Sequence, residues 1–159
     1  MSAFHDRLRV GLSLLAILLL TLGGCASTPQ ASRERDAEAK GFSSHPGFAA
    51  IYVFRPDVLT AEMDDSTLYV DERTIGATLP GSFFRIDVQP GPHVVSSGAA
   101  GSTQLKVDTR PDQIYFVQLN VMSGNSRLAL VEPEAAQRAI RKCCALMENW
   151  APGQRPLLR

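Results

Sequence analysis

The 159-residue chain has no excess of either charge, with 16 Lys and Arg against 16 Asp and Glu. Without a basic field it has nothing to draw in a nucleic-acid backbone. Partners must be recognised by shape and local chemistry. The chain also lacks an apolar run of the ~20 residues that a membrane-spanning helix needs; its longest, Val10 to Leu22, has 13. There are only 3 cysteines and no CxxC pair, which removes the common dithiol redox motif. Of 3 histidines, only His93 lies in a segment patterned to fold. Between Ala26 and Pro46 no aliphatic side chain larger than Ala occurs.

What is present begins with a processing signal. Arg7 and Arg9 outweigh Asp6 ahead of the apolar run, whose length suits the h-region of an export signal. The run closes in Leu22-Gly23-Gly24-Cys25, which resembles the lipobox of bacterial lipoproteins. Each residue type has a task. The Cys25 thiol can accept a diacylglycerol as a thioether, the small residues before it open the backbone to a signal peptidase, and the freed α-amine can be acylated. One acyl chain binds reversibly, whereas two or three hold firmly. The expectation is a signal peptide over 1–24, a lipidated Cys25 as the first mature residue, and a membrane anchor through its acyl chains. Ala26 and Ser27 put no aspartate after the cysteine, so the expected address is the outer membrane, facing the periplasm.

Removal of the leader leaves 135 residues, with 14 basic and 15 acidic side chains, enough for one domain. The stretch 25–46, small, polar and charged, reads as a flexible tether with a reach of roughly 25 Å. From residue 47 to 132 short alternating runs are separated by Gly, Pro, Asp and Asn, as in antiparallel strands. "AAIYVFRP" ends at Pro56, which cannot donate to a ladder. "STLYVDERTIGATL" reads as two strands about a turn at Asp71, Glu72 and Arg73. In "SFFRIDV", Ser82, Phe84, Ile86 and Val88 share a core face, and Phe83, Arg85 and Asp87 share the other. "QPGPHVVSS" supplies a Pro-Gly turn and a hairpin partner. "TQLKVDT" turns Leu105 and Val107 inward, and "QIYFVQLNV", the longest and most apolar strand, belongs in the centre.

The expected fold is therefore mainly β, an antiparallel β-sandwich of about seven or eight short strands. A C-terminal helix follows over 133–148, with Pro133 and Glu134 in its first turn. Ala136, Ile140, Cys143 and Met147 form its buried stripe. Residues 149–159 form a tail.

The runs "AAIYVFRP", "LYVDERTIGATL", "GSFFRIDVQPGPHVV" and "QIYFVQLN", taken in order, resemble a family of bacterial lipoproteins of unknown function, the DUF2846 group. The resemblance spans residues 48 to 132. It implies a compact β domain on a lipid anchor and no catalytic residue. Glu72 and Arg73 stand where that family commonly has a turn glycine.

The candidate site residues are few. His93, beside Gly91 and Pro92, can act as a ligand or acid-base group or be a hydrogen-bonded strand histidine. Arg55 can bind an anion or pair with a neighbouring carboxylate. Asp64, Asp65, Asp71 and Glu72 offer oxygen ligands but lack EF-hand spacing, so solvated turns and no metal are expected. Cys143 and Cys144 leave three readings open: a buried Cys143, an intermolecular disulfide through Cys144, or a reactive pair. No cofactor is implied. The functional expectation is a non-catalytic binding or structural module for an envelope protein or a cell-wall glycan. The alternative is an envelope hydrolase or redox enzyme using His93 or the cysteine pair.

Overall fold

Tyr52 and Phe54 alternate with Ile51 and Val53 along one strand, and all four are buried, so both faces of that strand must be covered. The computed structural model describes residues 28–57, 66–98, 103–122 and 125–149. The leader, Cys25, Asp64, Asp65 and the tail 150–159 lie outside them. Among the described residues one sheet contains β1 (Ala49–Arg55), β4 (Ser82–Val88), β7 (Ile114–Met122), β8 (Asn125–Leu130) and β9 (Ala145–Leu146) in the order β8-β7-β1-β4-β9. The other contains β2 (Ser66–Val70), β3 (Arg73–Thr78), β5 (Gly91–Ser97) and β6 (Thr103–Thr109) in the order β3-β2-β5-β6. Two helices, α1 (Arg33–Ala39) and α2 (Pro133–Cys143), complete the fold. It is mainly β and consistent with a sandwich.

The main core joins Ile51, Val53, Phe84, Ile86, Val117 and Leu119 of the first sheet to Leu68, Val70, Val95 and Val107 of the second. A second core covers the opposite face of the first sheet. There Tyr52, Phe54, Phe83 and Phe116 meet Ala39 and Phe42 at the end of α1, and Ala136 and Ile140 of α2. Phe83, expected on an outward face, is fully buried beneath this layer, and Arg85 is half-buried.

Topology departs from the alternation-based reading in three places. β1, not β7, is central, and it pairs antiparallel with β4 but parallel with β7, so the sheet is mixed. The Pro90-Gly91 turn makes no hairpin: β4 pairs with β1 and β9, and β5 pairs with β2 and β6 in the other sheet. The helix ends at Cys143, Cys144 is extended, and Ala145 and Leu146 pair parallel with Ser82 and Phe83. Met147 consequently leaves the helical stripe and enters the main core.

The segment expected to be a flexible tether is packed from Thr28 onward. Ser32 caps α1 by accepting from Arg35 N–H at 3.3 Å, and Asp36 Oδ1 accepts from Leu146 N–H at 2.8 Å. Phe42 lies 5.4 Å from the Tyr52 ring and 5.7 Å from Phe116, centroid to centroid. One aromatic and two buried alanines, Ala31 and Ala39, thus dock a stretch with no large aliphatic side chain.

Double coverage of the sheet has a direct consequence. Phe83→Ala and Phe84→Ala should each cost about 3–5 kcal/mol, because each empties a filled site on its own face. Denaturant titration checks this, and a near-neutral Phe83→Ala would remove the second core.

Tyr52 donates its hydroxyl to the Ala39 carbonyl at 2.8 Å. Burial, opposed by the Arg85 charge, pushes its ionisation from 10.0 up to about 12. The folded state therefore holds this proton more tightly than the unfolded chain does. Its contribution is fully present below pH 10 and is lost as pH rises toward about 12. The loss amounts to roughly 2–3 kcal/mol. Tyr52→Phe should begin about 1 kcal/mol less stable yet show a flatter decline above pH 10 in thermal melts. Parallel declines would contradict the assignment.

Candidate functional site

The tight β2–β3 turn places Asp71 and Glu72 at φ 48° and 64°, a left-handed pair matching the twist of a two-residue hairpin. Neither residue is glycine, so the turn is strained. It is held by β5. Asp71 N–H donates to the Val94 carbonyl at 2.9 Å, and its Oδ1 accepts from Val94 N–H at 2.8 Å. Its Oδ2 lies 2.7 Å from His93 Nδ1. His93 Nε2 lies 2.7 Å from the Gln89 carbonyl, which also accepts from the Thr109 hydroxyl at 3.2 Å. The buried imidazole thus faces an acceptor oxygen at each nitrogen and latches the β2–β3 turn to the β4–β5 connection.

Ser97 stands at the far end of β5, four residues or roughly 13 Å along the strand from His93. Its Oγ is 2.7 Å from Ser66 Oγ. His93 and Ser97 therefore form no nucleophile-base pair. Thr78 Oγ1 donates to the Ser66 carbonyl at 2.8 Å, and Arg55, only 2% exposed, donates from Nη1 to the Thr78 carbonyl at 3.0 Å. This buried polar group gathers the ends of β1, β2, β3 and β5. Sequence reasoning singled out Arg55, weighed Ser97 only as a serine near His93, and missed Ser66 and Thr78. A strand-end hydroxyl carries no sign of the three partners that surround it. Among the described residues no group of three or more His, Cys, Asp or Glu is placed to hold a metal ion.

The cysteine pair differs from its expected arrangement. Cys144, expected to reach solvent, is the more buried of the two at 5% exposed, with Sγ 3.8 Å from the Arg55 carbonyl. Cys143 is half-buried. The two sulfurs are bonded to each other as a disulfide between adjacent residues, a pairing expected to be closed off within a helix. It is open here because the helix stops between them: Cys144 adopts φ −123° and ψ 140° as the chain enters β9. In this arrangement Cys144 Sγ is buried against the Arg55 carbonyl and Cys143, and is not presented to a second molecule.

Cys25, the expected lipidation site, lies outside the described residues, as does the apolar run before it. Among the described residues no helix is long and apolar enough to cross a membrane. Three residues beyond Cys25 the chain is clamped. Thr28 is buried, and its Oγ1 accepts from Ala77 N–H at 2.7 Å.

A β domain with these runs defines a class, and comparison with known proteins supplies the particular family. Residues 45–133 match the model of DUF2846, described as a protein family of unknown function. The chain belongs to that family. An uncharacterized protein of Haemophilus influenzae is 30% identical over 145 residues, covering 87% of this chain and 85% of the relative. No solved structure matches the chain.

With Cys144 shielded, purified domain should run as a monomer on gels with or without reductant. A disulfide-linked dimer that disappears in Cys144→Ser would restore the exposed position expected from the helical stripe.

Proposed function

We propose that the chain is exported, processed and lipid-anchored at Cys25 in the bacterial cell envelope, in the outer membrane facing the periplasm. Its DUF2846 domain serves there as a non-catalytic binding or structural module for an envelope protein or a cell-wall glycan. The observation that carries the anchoring is Leu22-Gly23-Gly24-Cys25 closing a 13-residue apolar run behind a basic start. The non-catalytic reading draws support from His93, whose two ring nitrogens both face oxygens of the chain's own turns. It also draws on Ser66 and Ser97, each engaged with the other. The surfaces left for a partner are then the exposed strand edges and loops. A module of this kind needs no reacting group, and the acyl chains supply residence at the membrane.

The experiment is metabolic labelling with a fatty acid in cells expressing the wild type and Cys25→Ser. The wild type should take up label and appear as the shortened form. Cys25→Ser should remain the unlabelled precursor, since serine cannot form the thioether that precedes cleavage. Label on the Cys25→Ser protein would overturn the anchor. Fractionation of the wild type should place it with the outer membrane, and recovery only with inner-membrane vesicles would refute that address.

A further inference from the structure

Composition alone allows residues 25–46 to hold the domain roughly 25 Å from its anchor. The structure removes that freedom. Only Ala26 and Ser27 separate Cys25 from Thr28, and Thr28 is built into the sandwich. Its hydroxyl oxygen accepts from Ala77 N–H on β3. Its methyl stands 3.1 Å from where a Cβ on Gly76 would lie, so the missing side chain at 76 makes the room it occupies. The Pro29 carbonyl accepts from Glu148 N–H, and Ala31 N–H donates to the Leu146 carbonyl, each at 2.8 Å. Gln30 bridges antiparallel to Met147. Arg35 pairs with Glu148 just beyond. The segment thereby closes the side where the edge strand β3 of one sheet meets the edge strand β9 of the other.

Covalent reach converts this clamp into a position. Three Cα–Cα steps span at most roughly 11 Å. The headgroup layer of one leaflet takes up about 5–7 Å between the hydrocarbon, where the acyl chains end, and water. Even fully stretched, residues 26 and 27 leave Thr28 only a few ångströms beyond the headgroups. We infer that the domain lies flush on the lipid surface with the β3/β9 edge down, in contact with phospholipid headgroups. Thr74, exposed on β3, belongs to the edge beside the membrane. Leu130, 53% exposed on β8, belongs to the opposite edge, four inter-strand spacings or about 19 Å from β9. A partner then has to meet the module close to the membrane, at the β8 side or on the loops, because no tether carries the domain outward. This inference rests on lipidation of Cys25.

The test uses full-length lipidated protein, carrying Thr74→Cys or Leu130→Cys with a thiol-linked fluorophore. It is reconstituted in vesicles of phosphatidylethanolamine and phosphatidylglycerol doped with headgroup spin-labelled phosphatidylcholine. The parent protein treated identically gives the background from its own cysteines. Strong quenching is expected at Thr74→Cys and little at Leu130→Cys. A Gly-Ser insertion of about 20 residues between Ser27 and Thr28, restoring a reach of roughly 25 Å, should reduce the Thr74→Cys signal to the Leu130→Cys level. Intact mass reports the lipid separately. Weak or equal quenching at both positions in protein that carries its lipid overturns the flush orientation alone. Absence of lipid on Cys25 overturns the anchor and this inference with it.

Discussion

The fold depends on the complete burial of β1. Every residue from Ala49 to Arg55 is shielded, which requires a neighbour at each edge and a layer on each face. β4 and β7 take the edges, in opposite directions relative to β1. The second sheet takes the face of Ile51 and Val53, and the two helices take the face of Tyr52 and Phe54. A strand that is apolar on both sides is ordinarily found inside a three-layer arrangement. Here one outer layer is a sheet, and the other is assembled from the first and last of the described segments.

That second layer explains why the termini of the domain are ordered together. α1 and the segment before it bond to residues 146–148 through backbone and through Asp36. The residues after α2 in turn extend the central sheet at β9. Phe42, stacked among Tyr52 and Phe116 with the Arg141 guanidinium 4.9 Å above its ring, links the two ends in one aromatic group. The N-terminal clamp from Thr28 is thus part of the folded unit. The family match begins at residue 45, and the described structure ahead of it is already packed at Thr28.

The polar groups inside the domain bond to one another and to its backbone. His93 and Asp71 hold a left-handed turn of two non-glycine residues against β5. Their bonds offset backbone strain of roughly 1–2 kcal/mol per residue. Arg55, Ser66, Thr78 and Ser97 gather strand ends where the sandwich would otherwise leave backbone carbonyls buried without donors. Here their partners are oxygens of the chain itself.

Local pattern determined much of this protein. Alternation in "SFFRIDV" placed Phe84 and Ile86 in the main core, alternation in "TQLKVDT" buried Val107 and exposed Lys106, and Pro133 began a helix. Those features depend on side chains a few residues apart, so a short window contains their cause. The tertiary structure alone decided that Phe83 and Tyr52 are covered, because a period of two divides a strand into faces without saying what lies over either. It also decided that β1 and β7 run parallel, since that pairing joins residues more than 60 positions apart. Phe42 and two alanines dock the expected tether only because the aromatic face of the sheet is there to receive them. Cys144 turns inward for the same kind of reason. Ala145 and Leu146 pair with Ser82 and Phe83 of β4, so the helix ends at Cys143 and not at the expected residue 148, and Cys144 becomes the more shielded sulfur.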